Sequence, residues 1–394
     1  VFTGGKENGT ITLSAINNMF SLAGKSYGSD LSEITYFTCL KTLSESLGKM
    51  PIYLMSEDKK RITNHETTPF LSVSPNDIYT PIQLFTYLEF CRNHYGNAYA
   101  YVARKNSRIT GIYPLDPTCV QIYVDNTDIF TNRKYYYHFT DTKSGKSYWI
   151  YPDDILHIKS WVTDRSGLAG KSVREILATN MAGSKSSQQF LNELYQKGLT
   201  ANAVVKFTGD LSREQQKIML KQLRKQATDG RMITLPLGYD IQTLDLKLTD
   251  SQFYELKKYN SLQIAAAFGI QPNFLNDYSK SSYANSAAQN LSFYVNTLLY
   301  NLSLYEQEFN RKLLTTQEQK RGLGFKFNVW TILRGDPTSQ ADVLQKMVST
   351  AIYSVNEARS KLDLEPCENG DVHVVNGSYV KLQDVGLAYE KGGG

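Results

Sequence analysis

The stretch LQIAAAFGIQPNFLND at residues 262–277 limits the possible folds more than any other: an alanine-rich helical run meets Gly269, then Pro272, and stops. The helix starts near Asp250 and carries Phe253, Leu256, Ile264 and Ala267 on one face, with Asn260 interrupting the stripe. Beyond a short polar segment, Ser286 and Gln289 form a capping-box signature. Leu291, Val295, Leu298, Leu302, Tyr305 and Phe309 then recur at alternating four- and three-residue spacing, which predicts a heptad seam. A helix of about 30 residues is roughly 45 Å long, enough to cross a whole domain as a spine, and a buried core helix fits the pattern equally well. The chain must therefore accommodate two long helices separated by an abrupt break.

With 394 residues, 41% of them apolar, the sequence suits two or three packed domains. Lys and Arg total 43 against 38 acidic residues, and the resulting +5 is too small for a dedicated non-specific DNA binder. The four cysteines, Cys39, Cys91, Cys119 and Cys367, lack C-x-x-C spacing and support neither a disulfide framework nor a zinc site, so a reducing compartment is expected. No apolar run reaches the roughly 18 residues of a membrane span, which predicts a soluble protein. Residues 1–26, rich in Gly, Ser, Thr and Asn, read as a weakly ordered arm.

Residues 27–170 mix helix and strand. An amphipathic helix is expected near 33–47, a strand at PIYLM (51–55), and a helix opened by Thr80-Pro81 and closed by Gly96. Strands follow at NAYAYVAR, ITGIYPL, CVQIYV, KYYYHF and ILHIKS, giving an α+β domain. From Lys171 to Lys197 the pattern is helical, with Gly198 as its cap; the small residues AGSKSS in its middle suit either close packing of neighbouring copies or a loop-like break. Residues 201–248 read as a β-α-β-β unit: strand AVVKF, a helix capped by Ser212 and Gln215, and two strands around Pro236-Leu237-Gly238. Its helix carries Arg213, Lys217, Lys221, Arg224 and Lys225 as a basic stripe, either a solvated face or a partner-binding surface. The strand FKFNVW (325–330) precedes helices opened by Asp336-Pro337 and by Ser354-x-x-Glu357.

Two GKS tripeptides suggest phosphate loops, but the glycine such a loop needs five positions before the second is replaced by Met19 and Arg165. The histidines, His65, His94, His138, His157 and His373, lack paired metal spacing and read as structural, so no metal and no cofactor are expected. No nucleophile elbow or Cys/His signature is present, and the reading is non-enzymatic.

The ordered phrases SPND with TPIQLF (74–85), YGNAYAYVAR (95–104), IYPLDPTCVQI (112–122), DDILHIK (153–159), GLAGKS (167–172), IAAAFGIQPNFLND (264–277), YAN (283–285) and SVNEARSKLDLEP (354–366) resemble one family over about residues 27–380. That family is the HK97-type portal proteins of tailed bacteriophages. Gly269-Ile270-Gln271-Pro272 stands where the family usually has Gly-Val-Pro-Pro, and Gly170-Lys171-Ser172-Val173 where it often has Gly-x-Ser-Pro.

The resemblance implies a portal fold assembled as a ring of about twelve copies around a DNA channel. It divides the chain into an arm (1–26), an α/β wing (27–170), a first stem helix (171–198), a clip (199–249), a second stem helix (250–269), a tunnel loop (270–284), a spine helix with a wing strand (285–336), and a helical crown with the tail (337–394). Gly269 would release the chain from the stem helix and Pro272 would forbid its resumption. Asn276, Asp277, Tyr278, Lys280 and Ser281 would approach DNA without reading its sequence. The stripe from Arg213 to Lys225 would face the terminase large subunit or a head-tail connector. Other implied partners are the major capsid protein and scaffold, and the implied location is the virion's portal vertex, with host cytoplasm during assembly; no membrane is implied. The competing readings are a nuclease-like DNA-processing enzyme and a channel-less oligomeric scaffold or adaptor.

Overall fold

A computed structural model describes residues 33–58, 60–125, 135–142, 144–197, 203–207, 214, 217–218, 221, 239–243, 250–276, 289, 291–330, 337–362 and 364–374. The chain divides into two compact units, Val1–Leu177 with Ala265–Gly394, and Ala178–Ile264.

The first unit is α+β, and among the described residues every ladder in it is antiparallel. Helix α1 (Ile34–Gly48) is capped by the Glu33 side chain. It buries Tyr36, Cys39, Leu40, Leu43 and Leu47, the alternating three- and four-residue spacing that made it legible. Strands β1 (Ile52–Met55) and β2 (Arg61–Ile62) and the short α2 (Thr68–Ser72) lead to α3 (Pro81–Tyr95). Helix α3 opens with a capping box between Thr80 and Gln83 and closes at Gly96, φ +83°, as its sequence required. It packs against α1.

Strands β3 (Asn97–Lys105), β4 (Arg108–Leu115), β5 (Val120–Val124), β6 (Tyr135–Thr140), β7 (Ser147–Ile150) and β8 (Ile155–Lys159) form two three-stranded sheets, β4-β3-β8 and β5-β6-β7. Tyr99, Tyr101, Tyr113, Tyr137, Phe139 and Ile155 make their shared core, so the tyrosine richness is spent on half-polar packing. The second GKS sequence is architectural. A Cβ on Gly170 would lie 2.2 Å from the Gly96 carbonyl oxygen, and Ser172 caps α4 (Val173–Ile176) by accepting the Glu175 N–H.

The helix expected from Lys171 to Lys197 is in fact two. Leu177, at φ −89° and ψ 6°, leaves helical geometry at the end of α4. In the second unit α5 (Ala178–Lys197) then runs through AGSKSS, which is helical and not a loop-like break. Gly198 lies outside the described residues. Strands β9 (Ala203–Phe207) and β10 (Tyr239–Thr243) pair antiparallel, while the other strand and much of the helix expected between them fall outside the described residues. Helix α6 (Asp250–Ala267) begins in this unit and ends in the first.

Back in the first unit, α7 (Leu299–Leu313) is preceded by a π-helical turn at Tyr294–Leu298. This turn corrects the heptad expectation. Leu298, Leu302, Tyr305 and Phe309 are buried, but Leu291 and Val295 are 59% and 50% exposed, and Phe293 turns inward instead. Each π turn adds a residue to the ladder and rotates everything before it, so a seam continuous in sequence is broken in space. Helix α8 (Thr316–Lys320), strand β11 (Gly324–Phe327) paired with β1, α9 (Pro337–Ser349) and α10 (Val355–Lys361) follow; α10 opens with the capping box of Ser354 and Glu357.

Candidate functional site

The end of α6 is a complete helix stop. Gly269 takes φ +68°, the Ile270 N–H donates to the Ala265 carbonyl at 2.9 Å, and the Gly269 N–H donates to Ala266 at 3.0 Å. These are the two bonds of a Schellman motif, which satisfy carbonyls that the helix end would otherwise orphan. Ile270 is buried, as the hydrophobic partner of that motif should be. Thr297, in the π turn before α7, donates its hydroxyl to the Gly269 carbonyl at 2.7 Å, and a Cβ on Gly269 would meet that same Oγ1 at 2.6 Å. The break is thus fixed twice, by its own backbone and by the following helix.

Pro272 has a role besides the one expected. It does not merely block a helix; it occupies the first turn of a short 3-10 helix, Pro272–Leu275, and holds Gln271 extended at ψ 152°. The backbone of Asn276 is left-handed, φ 59°, and its side chain is exposed, so the chain leaves the turn at that residue. Phe274 packs at a tilt on Phe293 with ring centroids 4.6 Å apart, and Phe268 on Tyr36 at 5.6 Å, which ties both sides of the break into the first unit. Of the expected loop residues, Asn276 is at this exit; Asp277, Tyr278, Lys280 and Ser281 lie outside the described residues.

Of the basic stripe, Lys217 and Lys221 are exposed on helical backbone beside Ile218, which is 59% exposed; Arg213, Arg224 and Lys225 lie outside the described residues.

Three features of this region escaped the sequence reading. Thr297 is one; only the fold brings it to Gly269, 28 positions away. The second is a buried charged network. Arg92 donates to both Glu89 oxygens at 2.8 and 2.6 Å, and Asn93, Asn301 and Tyr305 donate to the same carboxylate. It joins α3 to α7, so the helix that clamps the break is itself anchored. The third is His157, whose Nδ1 meets the Tyr137 hydroxyl at 2.9 Å and whose Nε2 meets Asn97 at 3.0 Å. Burial, with Lys159, Lys312 and Arg311 nearby, holds its pKa well below 6.5. Among the described residues, His138 Nδ1 is buried with no hydrogen-bond partner, unlike the satisfied histidine expected there.

Among the described residues no group of three His, Cys, Asp or Glu side chains is placed to hold a metal, and no helix is long and apolar enough to cross a membrane.

A family model described as "Phage portal protein" matches residues 34–363. The chain is 24% identical to a probable portal protein of Streptomyces phage phiC31 over 351 residues, 85% of this chain and 75% of that one. In fold it is similar to the crystal structure of an HK97-family phage portal protein from Corynebacterium diphtheriae, with a TM-score of 0.58 at 12% identity over 78% of this chain and 97% of that one. It is also similar to a chain in the neck of a native GTA particle computed with C12 symmetry, with a TM-score of 0.55 at 18% identity over 91% of this chain and 94% of that one.

Proposed function

The chain belongs to the phage portal protein family, and from that premise we propose that it is the subunit of a twelve-copy ring at one capsid vertex. The ring's channel passes double-stranded DNA during packaging and ejection, and its outer surfaces dock terminase, capsid and scaffold proteins, and a head-tail connector. The role is mechanical and non-catalytic. It is carried out in the virion after assembly in the host cytoplasm.

The observation that carries this reading is the clamped helix stop. A loop that meets a moving DNA surface needs a rigid root, because slack at the root is amplified at the tip. Gly269, Thr297 and the 3-10 turn provide such a root, and the chain leaves it at exposed Asn276. Residues Asn276, Asp277, Tyr278, Lys280 and Ser281 then meet phosphate groups without reading bases. In a closed ring each contributes one charge or polar group per copy. Because each Lys–phosphate contact adds salt-sensitive affinity, a sliding channel is served by few of them, and this loop has one lysine.

The exposed helix pair supports the ring. In the second unit Ala182, Gly183 and Ser186 of α5 and Leu256 and Tyr259 of α6 are exposed, a combination of small and apolar residues that suits close approach of neighbouring copies. The C12 symmetry of the similar neck structure supports a dodecamer. Exposed Lys217, Ile218 and Lys221 favour the partner-surface reading of the clip helix over a purely solvated face, since an apolar residue sits between the charges.

Negative-stain electron microscopy with mass determination, across salt and protein concentration and with scaffold added, tests the ring. Twelve-fold rings with a central channel are expected, and a closed dimer without a channel sinks the proposal. In assembled particles, Lys280→Glu should lower packaged or retained DNA while rings stay intact.

A further inference from the structure

A groove of about 620 Å³ runs between α1 and α3 on the first unit. Phe37, Leu40 and Ser44 of α1 face Ile82, Tyr87 and Phe90 of α3 across it. Phe37 and Ile82 are 48% and 49% exposed and lie together on it, so the groove presents a contiguous apolar surface. Ser44 is buried, and its Oγ has no hydrogen-bond partner among the described residues. The charges lie on the rim, where Glu45 pairs with Lys49 at 3.4 Å and with Lys41 at 3.9 Å.

A matching segment lies just before α1. Residues 8–24 contain no charged side chain, and within them Leu13, Ile16, Met19, Phe20 and Ala23 fall on one side of a helical projection. Residues 24–32 connect this segment to the start of α1 and reach at most ~32 Å when extended, whereas α1 itself is only ~22 Å long. The connection is therefore long enough to double back along α1 and short enough to keep the segment beside it.

We propose that residues 11–23 of the same chain seat in the α1–α3 groove, with Phe20 and Ile16 against Ile82 and Phe37. The tether raises the segment's effective concentration at its own groove to roughly millimolar, so the chain's own segment outcompetes a free one. The arm is then a fitted part of the wing. The inference does not depend on the ring.

Full-length chain carrying Phe20→Cys and Ile82→Cys, in a Cys119→Ser, Cys367→Ser background, tests it by mild oxidation and mass spectrometry on mixed ¹⁴N/¹⁵N subunits. Phe20→Cys with Trp161→Cys is the control pair, Trp161 being 70% exposed. The expected result is a within-chain link at least about tenfold above the control, reduced to control level by adding Leu13→Asp and Ile16→Asp. A yield no higher than the control overturns the proposal, as does a link found only between chains. Mass determination on the same samples reports ring assembly separately, so a failure here is distinguishable from a failure of the portal reading.

Discussion

Helix α7 and the α5–α6 pair are both long helical runs carrying apolar residues, yet the molecule uses them in opposite ways. Helix α7 buries Leu302, Tyr305 and Phe309 and adds Asn301, Glu306 and Lys312, polar groups that are buried as well. Its partners are fixed: Asn301 and Tyr305 bond Glu89, Glu306 accepts the Phe327 N–H at 2.9 Å, and the Arg104 guanidinium donates to the Lys312 carbonyl at 2.7 Å. Helices α5 and α6 are joined by side-chain bonds such as Asn180 to Gln263 at 2.9 Å and Lys257 to Gln188 at 2.7 Å, while Leu256 and Tyr259 stay more than half exposed. Apart from Leu299 and Tyr300 at its start, which are 43% and 51% exposed, α7 is anchored within its own chain. The other two keep apolar surface at Leu256 and Tyr259 that a second copy can cover, which is the surface the proposed ring would use.

The sharpest way to break this contrast is to remove Glu89. Glu89→Ala leaves the Arg92 guanidinium buried and unpaired, which costs about 3–5 kcal/mol. Urea titration of the monomer should show that loss, and a change under about 1 kcal/mol would mean that the network is not what anchors α7. Gly269→Ala comes next, with an expected loss of about 2 kcal/mol from the left-handed backbone and the contact with Thr297 Oγ1. Combining it with Thr297→Ala should recover the contact part but not the backbone part; additive losses would show that the two residues do not touch as described.

A smaller effect is expected from pH. The folded-state pKa of His157 is depressed, so its contribution is complete above the unfolded value near 6.5 and is lost as pH falls toward the folded value. Burial raises the pKa of Glu308, which accepts the His157 backbone N–H at 3.1 Å, so that group opposes the trend, favouring the fold at low pH. Thermal melts should show Tm declining below pH 6.5, and His157→Gln should flatten or reverse the slope. A variant slope equal to wild type would remove His157 from the account. The smallest stability effect is expected where assembly should suffer most. Leu256→Asp with Tyr259→Asp should alter monomer stability by under about 0.5 kcal/mol, yet abolish rings in analytical ultracentrifugation; intact rings would place the contact elsewhere.

Much of the first unit was legible because its signals are local. Thr80, Gln83 and Gly96 bound α3, Ser354 and Glu357 open α10, and strands β3, β4, β5, β6 and β8 follow their alternating tyrosines and aliphatics. The two-residue β2 and the short β7 are too brief to show a period. Gly269 was legible for the same reason as Gly96: a helix that ends in a left-handed residue favours glycine, which adopts that backbone without strain.

By itself, then, the sequence determined the helix ends that carry a cap, at Thr80, Gly96, Gly269 and Ser354, and which family the chain resembles, since capping, turn chemistry and ordered phrases act over a few residues; the uncapped break at Leu177 left no such mark. Only the tertiary structure decided which apolar face is buried. The π turn at Tyr294–Leu298 swings Leu291 and Val295 outward, and Thr297 becomes the clamp on Gly269 only when two helices meet. The physical reason is that an i→i+5 turn and a hydroxyl reaching a distant carbonyl cost little or nothing in local pattern. Their free energy is set by packing between segments far apart in the chain, and periodicity within one segment carries no record of it.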